Sequence, residues 1–468
     1  MNHGTPVTFA EAPTVRTLLT LAWPIILARA TQAVIGFADA LQTAPLGEEA
    51  LAAVTTGAIN TMNAIVLPMG LVFIVQSFAA QLKGRGELVA ARRYAYYALL
   101  LAGISGVLAI AALPLVGPAL SLFPYAPRVH ELMTEYMTVR LVGVGLIVGT
   151  EALGNWYGGL GQTTIQMRAG MVAMVANVGL NYLLIEGHLG APALGVAGAA
   201  WASTIASGLG FAIVVWPFVR SARADTGTHV FGGSMLRSLR RAELFRMLRF
   251  GLPNGVNWFL EFGAFSLFLN VAVAHLGTTT LAAMNVVIQV NGIAFMPAFG
   301  LASAGAILVG QSLGRGAPDE VPRLVRTTTL VAALWMGTVG LVYLLFPSAI
   351  FEWFRPRDVP AETLTALGAS LLAVSTAWQL FDAVVMTVAE ALRAAGDTAW
   401  CMWARVANAW LLFVPCGFLV IFVLGGGPIA AVLCLVAYVA SLAALMVWRF
   451  RRGAWRRIDL VGAEAPLV

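Results

Sequence analysis

Apolar runs recur along the whole chain, each about as long as one membrane crossing, with short polar loops between them. A hydrocarbon core of about 30 Å takes roughly 20 residues of helix. Runs of that length predict six spans at 17–40, 51–79, 94–118, 137–159, 165–186 and 194–219. Six more follow at 250–274, 281–311, 326–350, 366–391, 399–423 and 428–448. The expected class is therefore an all-α polytopic membrane protein with twelve transmembrane helices.

Composition strengthens this reading. Of the 468 residues 59% are hydrophobic and 11% charged, against about 25% charged in soluble domains, whose surface must face water. The first twenty residues lack a charged segment followed by an apolar run and a small-residue cleavage site, so the first span is expected to be retained. Cys401, Cys416 and Cys434 lie within predicted spans without ligand-like spacing, which points to packing rather than a metal site or disulfide.

The net charge of +6 matters less than its distribution. With the N-terminus inside, Lys83, Arg85, Arg92, Arg93 and Arg168 fall on the cytoplasmic side. So do the stretch from Arg220 to Arg249, then Arg315, Arg323, Arg326, Arg393 and the tail arginines from Arg449 to Arg457. Arg128, Arg140, Arg355 and Arg357 fall outside. This asymmetry is the positive-inside pattern, and it places both termini in the cytoplasm of a prokaryotic inner-membrane protein. Basic residues confined to short loops between apolar runs also speak against nucleic acid as a partner.

The basic stretch 220–249 divides six spans from six. The expected organisation is an N-lobe (1–219), a cytoplasmic linker (220–249), a C-lobe (250–450) and a cytoplasmic tail (451–468). LGEEALAAV at 46–54 returns as LGTTTLAAM at 276–284, and AQLKGRG at 80–86 as GQSLGRG at 310–316, both at an offset of 230 residues. Six spans per half give the halves the same orientation, so a pseudo-two-fold axis along the membrane normal is expected, with a cavity between the lobes. Transport is the function such an architecture serves most often, and nothing demands more than a monomer.

Carboxylates within spans are the candidate chemistry, because one near the bilayer centre costs at least about 2.5–3.5 kcal/mol. Asp39, Glu151, Glu261, Asp382 and Glu390 lie in or near spans, Glu390 close enough to an end to reach water. Helical spacing puts Asn254, Asn257 and Glu261 on one stripe, and Gln32 with Asp39 on another. It also pairs Asn285 with Gln289, Asn177 with Asn181, Glu151 with Asn155, and sets Trp378 one turn before Asp382. A lone Asn or Gln serves equally well as interhelical packing. A full carboxylate is seldom needed for that. Arg29, ten residues before Asp39 and on a different face, either snorkels or faces the cavity and holds a carboxylate ionised. Pro24, Pro68, Pro253 and Pro297 interrupt corresponding spans of the two halves, as hinges or as static bends.

Several of these segments, in this order and spacing, resemble the MATE (multidrug and toxic compound extrusion) family over nearly the whole chain. They are WPIILARATQAVIGFADA, LGEEALAAV, QLKGRGELVAARR, RFGLPNGVNWFLEFG, LGTTTLAAM, VGQSLGRG and ALRAAGDT. The likeness is greatest to the NorM-type branch. It implies ion coupling at Glu261 and Asp382, with Asp39 matching the family's first-span acid. Two departures stand out: Met284 and Asn285 follow Ala283 where the family often has His-Gln, and Asn177 and Asn181 stand where other branches have Asn and Asp. Arg29 is a third, being unexpected in this span.

The implied activity is antiport: an inward cation, Na+ or H+, drives an amphipathic, often cationic, organic compound outward, with no other cofactor. Na+ would sit at Glu261 and Asp382, and Arg29, Gln32, Asn177, Asn181, Asn254, Asn257, Asn285, Gln289 and Trp378 would face the substrate. The second reading is a flippase or exporter for a dedicated lipid-like metabolite, favoured by Arg29 and Arg405. The third, an intramembrane enzyme, finds little support: all five histidines lie in loops or at helix ends, and no nucleophile or metal constellation is apparent.

Overall fold

The computed structural model describes residues 14–226, 239–353 and 361–462, with backbone alone at 221–226, 353 and 361–364. Ten described helices are long and apolar enough to cross a membrane, and the pair Pro127–Val142 and Val144–Gly159, bent by 46°, makes an eleventh span. Thr163–Leu184, 22 residues carrying Arg168, Asn177 and Asn181, is the twelfth and the least apolar.

The first half comprises α1 (Val15–Thr43), α2 (Glu48–Arg85), α3 (Leu88–Ala111), the bent α4 (Pro127–Val142 and Val144–Gly159), α5 (Thr163–Leu184) and α6 (Gly195–Thr226). The second comprises α7 (Arg241–Val273), α8 (Thr278–Gly314), α9 (Val321–Leu345), α10 (Ala361–Ala394), α11 (Thr398–Val423) and α12 (Pro428–Arg451). Both α6 and α7 reach into the 220–249 stretch; residues 227–238 lie outside the described residues.

α2 and α8 exceed their predicted spans, at 38 and 37 residues. At 1.5 Å per residue each measures about 56 Å, far more than a bilayer core. The surplus carries the repeated polar motifs. Gly47 and Gly277, with φ of 105° and 101°, precede the two helices, and Gly86 and Gly316, with φ of 81° and 75°, follow them. Both repeated patches thus keep glycine where the backbone turns into the left-handed region, which side chains with a Cβ resist. α4 begins ten residues before its predicted start, opened by Pro127 in the first turn, where a missing N–H costs nothing.

Within the first half α1 packs on α5, α5 on α6 and α3 on α4; within the second, α8 and α9 pack on α10, α10 on α12 and α7 on α11. The halves join along α1–α8 and along α2–α7, pairings that exchange under the two-fold. The joint is tightest at the arginine-rich end, where a Cβ on Gly84 would strike the Gln311 carbonyl and one on Gly314 the Gln81 carbonyl. The freed backbone approach lets Gln81 donate to the Ala394 carbonyl (2.7 Å) and Gln311 to the Gly159 carbonyl (3.1 Å), each crossing to the other lobe. Beyond α12 the chain returns as a strap. Leu460 is fully buried in the first lobe's core, and Arg85 donates to the Gly462 carbonyl (2.8 Å).

Candidate functional site

Next to this tight end lies a cavity of about 590 Å³, lined from both lobes. On the first lobe's side, α1 supplies Arg29 and Gln32, one turn apart and so on the same face. Arg29 makes a two-pronged pair with Glu151 of α4, 3.1 Å at each prong, and Gln32 donates to the same carboxylate at 3.2 Å. Asn155 adds a further donor at 3.3 Å. A planar guanidinium matched to a carboxylate is the strong form of ion pair.

On the second lobe's side, α7 brings Asn254, Asn257 and Glu261 into the cavity wall as one stripe. Asn254 donates to the Gly70 carbonyl of the other lobe (2.6 Å). Glu261 accepts from Arg405 of α11 (2.9 Å) and Tyr438 of α12 (2.8 Å), with Asn257 at 3.4 Å. Asp382 of α10 lines the same wall, and no hydrogen bond or ion pair reaches it among the described residues. Just past Arg405, α11 widens into a π-helical turn at Asn408–Phe413. Pro415 follows and cannot donate back to Leu411, which leaves that turn free to widen.

The floor of the cavity is Arg393 of α10. Its guanidinium sits 4.2 Å over the Phe73 ring and donates to Gln76 (2.7 Å) and Ser77 (3.1 Å) of α2, while Glu390 pairs with it from the preceding turn. Gln76 in turn donates to Ser303 of α8 (2.9 Å). Between floor and carboxylates the walls are aromatic and thioether: Trp258, Phe262, Phe265, Phe299, Met386 and Met402. The cavity thus offers negative charge, ring faces for a cation and side chains that adapt their shape.

A profile of the MatE family matches residues 24–183 and 256–419, one match to each lobe. The chain belongs to the MATE family. Among its curated relatives is a probable multidrug resistance protein NorM of Pseudomonas putida, 28% identical over 98% of this chain and 97% of that protein. A multidrug resistance protein NorM of Burkholderia vietnamiensis is 28% identical over 92% of each. Solved structures share the fold. A MOP superfamily transporter from Pyrococcus furiosus superposes with a TM-score of 0.85 at 21% identity, over 95% of this chain and 97% of its own. An outward-facing multidrug resistance MATE transporter gives the same TM-score, identity and coverage.

This MATE chain gathers the sequence candidates into two groups. Arg29, Gln32, Asn254, Asn257, Glu261 and Asp382 meet at the cavity. Asp39, although on the stripe of Gln32, lies two turns further along α1 and joins a separate buried cluster in the first lobe. It accepts from Asn177 (3.0 Å), Asn181 (2.6 Å) and Ser203 (2.8 Å). Asn285 and Gln289 are exposed on α8, and Trp378 packs into the second lobe's core, all three apart from the cavity. The buried polar network in that region is Asn291 with Ser375 (3.1 Å) and Gln379 (2.8 Å). Spacing alone marks which residues share a face; it does not say which face turns inward. Tyr438 and Arg393 are the functional neighbours that sequence reasoning passed over. One is a common aromatic near the centre of α12, and the other resembles any loop arginine.

Proposed function

We propose that this MATE transporter is a cation-coupled antiporter that exports amphipathic, cationic organic compounds by alternating access of its two lobes. The observation that carries this reading is the pair Glu261 and Asp382 in the wall of an aromatic cavity at the joint of two equivalent lobes. The arginine-rich end, sealed by Arg393 and by the Gly84–Gly314 approach, is then the cytoplasmic face of the inner membrane, with both termini there and the cavity accessible from outside.

In this state an inward cation, Na+ or H+, reaches the carboxylates and discharges an organic cation from them. A one-for-one exchange of monovalent cations moves no net charge, so it is the concentration gradient of Na+ or H+ that drives cation exit. The curated relatives' description as multidrug resistance proteins supports an organic cargo. The transporter is taken to act as a monomer, since one chain encloses the whole cavity.

The direct test is ethidium efflux from liposomes containing the purified protein, with Na+ and H+ gradients imposed separately. Acceleration by either gradient is expected, and loss of it in Asp382→Asn and Glu261→Gln. Ethidium movement indifferent to both gradients would overturn the reading. Three arginines in the cavity wall, Arg29, Arg393 and Arg405, favour a second reading, export of a dedicated lipid-like amphipath. It gains if an anionic amphipath is moved where ethidium is not.

A further inference from the structure

Three arginines line the cavity wall, and each has a carboxylate partner: Arg29 has Glu151, Arg393 has Glu390, and Arg405 has Glu261. The carboxylate left over is Asp382. We propose that Arg405 is the resident counter-cation of Glu261, and that Asp382 alone is the carboxylate that exchanges cations with the cavity. This rests on the antiport reading above and divides the work between its two acids.

The surroundings of Glu261 argue for it. Arg405 reaches Oε2 at 2.9 Å, Tyr438 reaches Oε1 at 2.8 Å, and Asn257 adds a longer contact to Oε2 at 3.4 Å. All three present hydrogens. A hard metal cation seeks oxygen lone pairs; of the roughly four on the Glu261 carboxylate, three are engaged by these donors, while those of Asp382 accept no hydrogen bond among the described residues.

Asp382 stands within the electrostatic reach of both Arg405 and Glu261. The neighbouring pair is neutral as a unit, so Asp382 carries the surplus negative charge of this part of the cavity. One monovalent cation balances it. A proton or metal ion and a singly charged substrate would therefore compete for one carboxylate, the exclusion that antiport needs. Glu261 is then a positioning residue: it holds Arg405 and, through Tyr438, ties α7 to α12.

A rescue experiment separates this from a direct coupling role for Glu261. Gradient-driven ethidium efflux is measured in liposomes for each variant that purifies as a monodisperse species. Glu261→Gln alone strands Arg405 in the cavity wall, and efflux should fall about tenfold or more, because a half-buried charge is left without its partner. Glu261→Gln combined with Arg405→Gln should regain a rate within about threefold of the unaltered protein, because contacting residues couple non-additively. Asp382→Asn should stay inactive alone and in the double-variant background. A double variant as inactive as Glu261→Gln would overturn the assignment, as would an active Asp382→Asn. If the double variant does not purify, the reversed pair Glu261→Arg with Arg405→Glu is read in its place, and failure of both counts against the proposal. Absence of gradient-driven efflux in the unaltered protein would instead fault the antiport reading itself.

Discussion

At the scale of single residues, several ionisable groups inside the spans find partners that their sequence positions do not announce, Asp382 being an exception. Arg29 and Glu151 are 122 residues apart and close a two-pronged pair with little exposure, 12% and 5% of the side chains. Replacing Glu151 by Gln leaves the guanidinium without its counter-charge. Thermal unfolding in detergent should show a loss of about 3–5 kcal/mol, the range for breaking a buried pair from one side. The double change Arg29→Met with Glu151→Leu should recover most of it; equal stability of Glu151→Gln and the unaltered protein would contradict the pairing. The sequence named both residues as candidates, but Arg29 stood open between snorkelling and a cavity role. What decided it was the approach of α1 to α4, a tertiary fact. Asn285 and Gln289 on α8 and Trp378 on α10 stand apart for the complementary reason: their spacing was helical, yet these faces turn from the cavity, and Asn291 and Gln379 meet between the same two helices instead.

At the scale of elements, the repeated motifs explain themselves once the helices are assembled. Their glycines stop and start α2 and α8, and Gly84 and Gly314 let the two helices touch where they cross. Gly314→Ala puts a methyl group against the Gln81 carbonyl, so the helices must separate. Overpacking of this kind costs about 1–3 kcal/mol, and here it weighs on the sealed end alone. The variant should favour the state open to the arginine-rich side, seen as faster alkylation of a cysteine placed at Ser77, which is buried behind Arg393. Unchanged alkylation would show that this contact does not hold the end shut. The twelve spans were legible from hydropathy because lipid leaves few alternatives to continuous helix. The π-helical turns of α7 and α11, Phe268–Val273 and Asn408–Phe413, were not, since one extra residue in a turn leaves the apolar run unbroken.

At the scale of the molecule, two lobes of like topology meet along two equivalent helix pairs and share one cavity. The sealed end is held by polar side chains that cross the joint: Gln81 to α10, Gln311 to α4, Asn254 and Arg393 to α2, and Gln76 to α8. Such contacts are individually worth about 0.5–1.5 kcal/mol, few enough for a ligand's differential affinity to tip the balance. The tail strap through Leu460 and Arg85 spans the same joint and has to release when it parts. The two-lobe plan was visible in the 230-residue offset; which end is shut was not, because one sequence can encode more than one conformational state.

The measurement that bears most directly on this account is the distance between the lobes across the sealed end. Spin labels at Leu88 and Asp319, both exposed and one on each side of the joint, would report it in liposomes by pulsed dipolar spectroscopy. Alternating access predicts two separations: a short one matching this structure when Na+ or H+ is abundant, and a longer one gaining population when ethidium is added and the cation withdrawn. Asp382→Asn should lose that response to the cation. A single separation, unmoved by ethidium, Na+ or pH, would contradict the account.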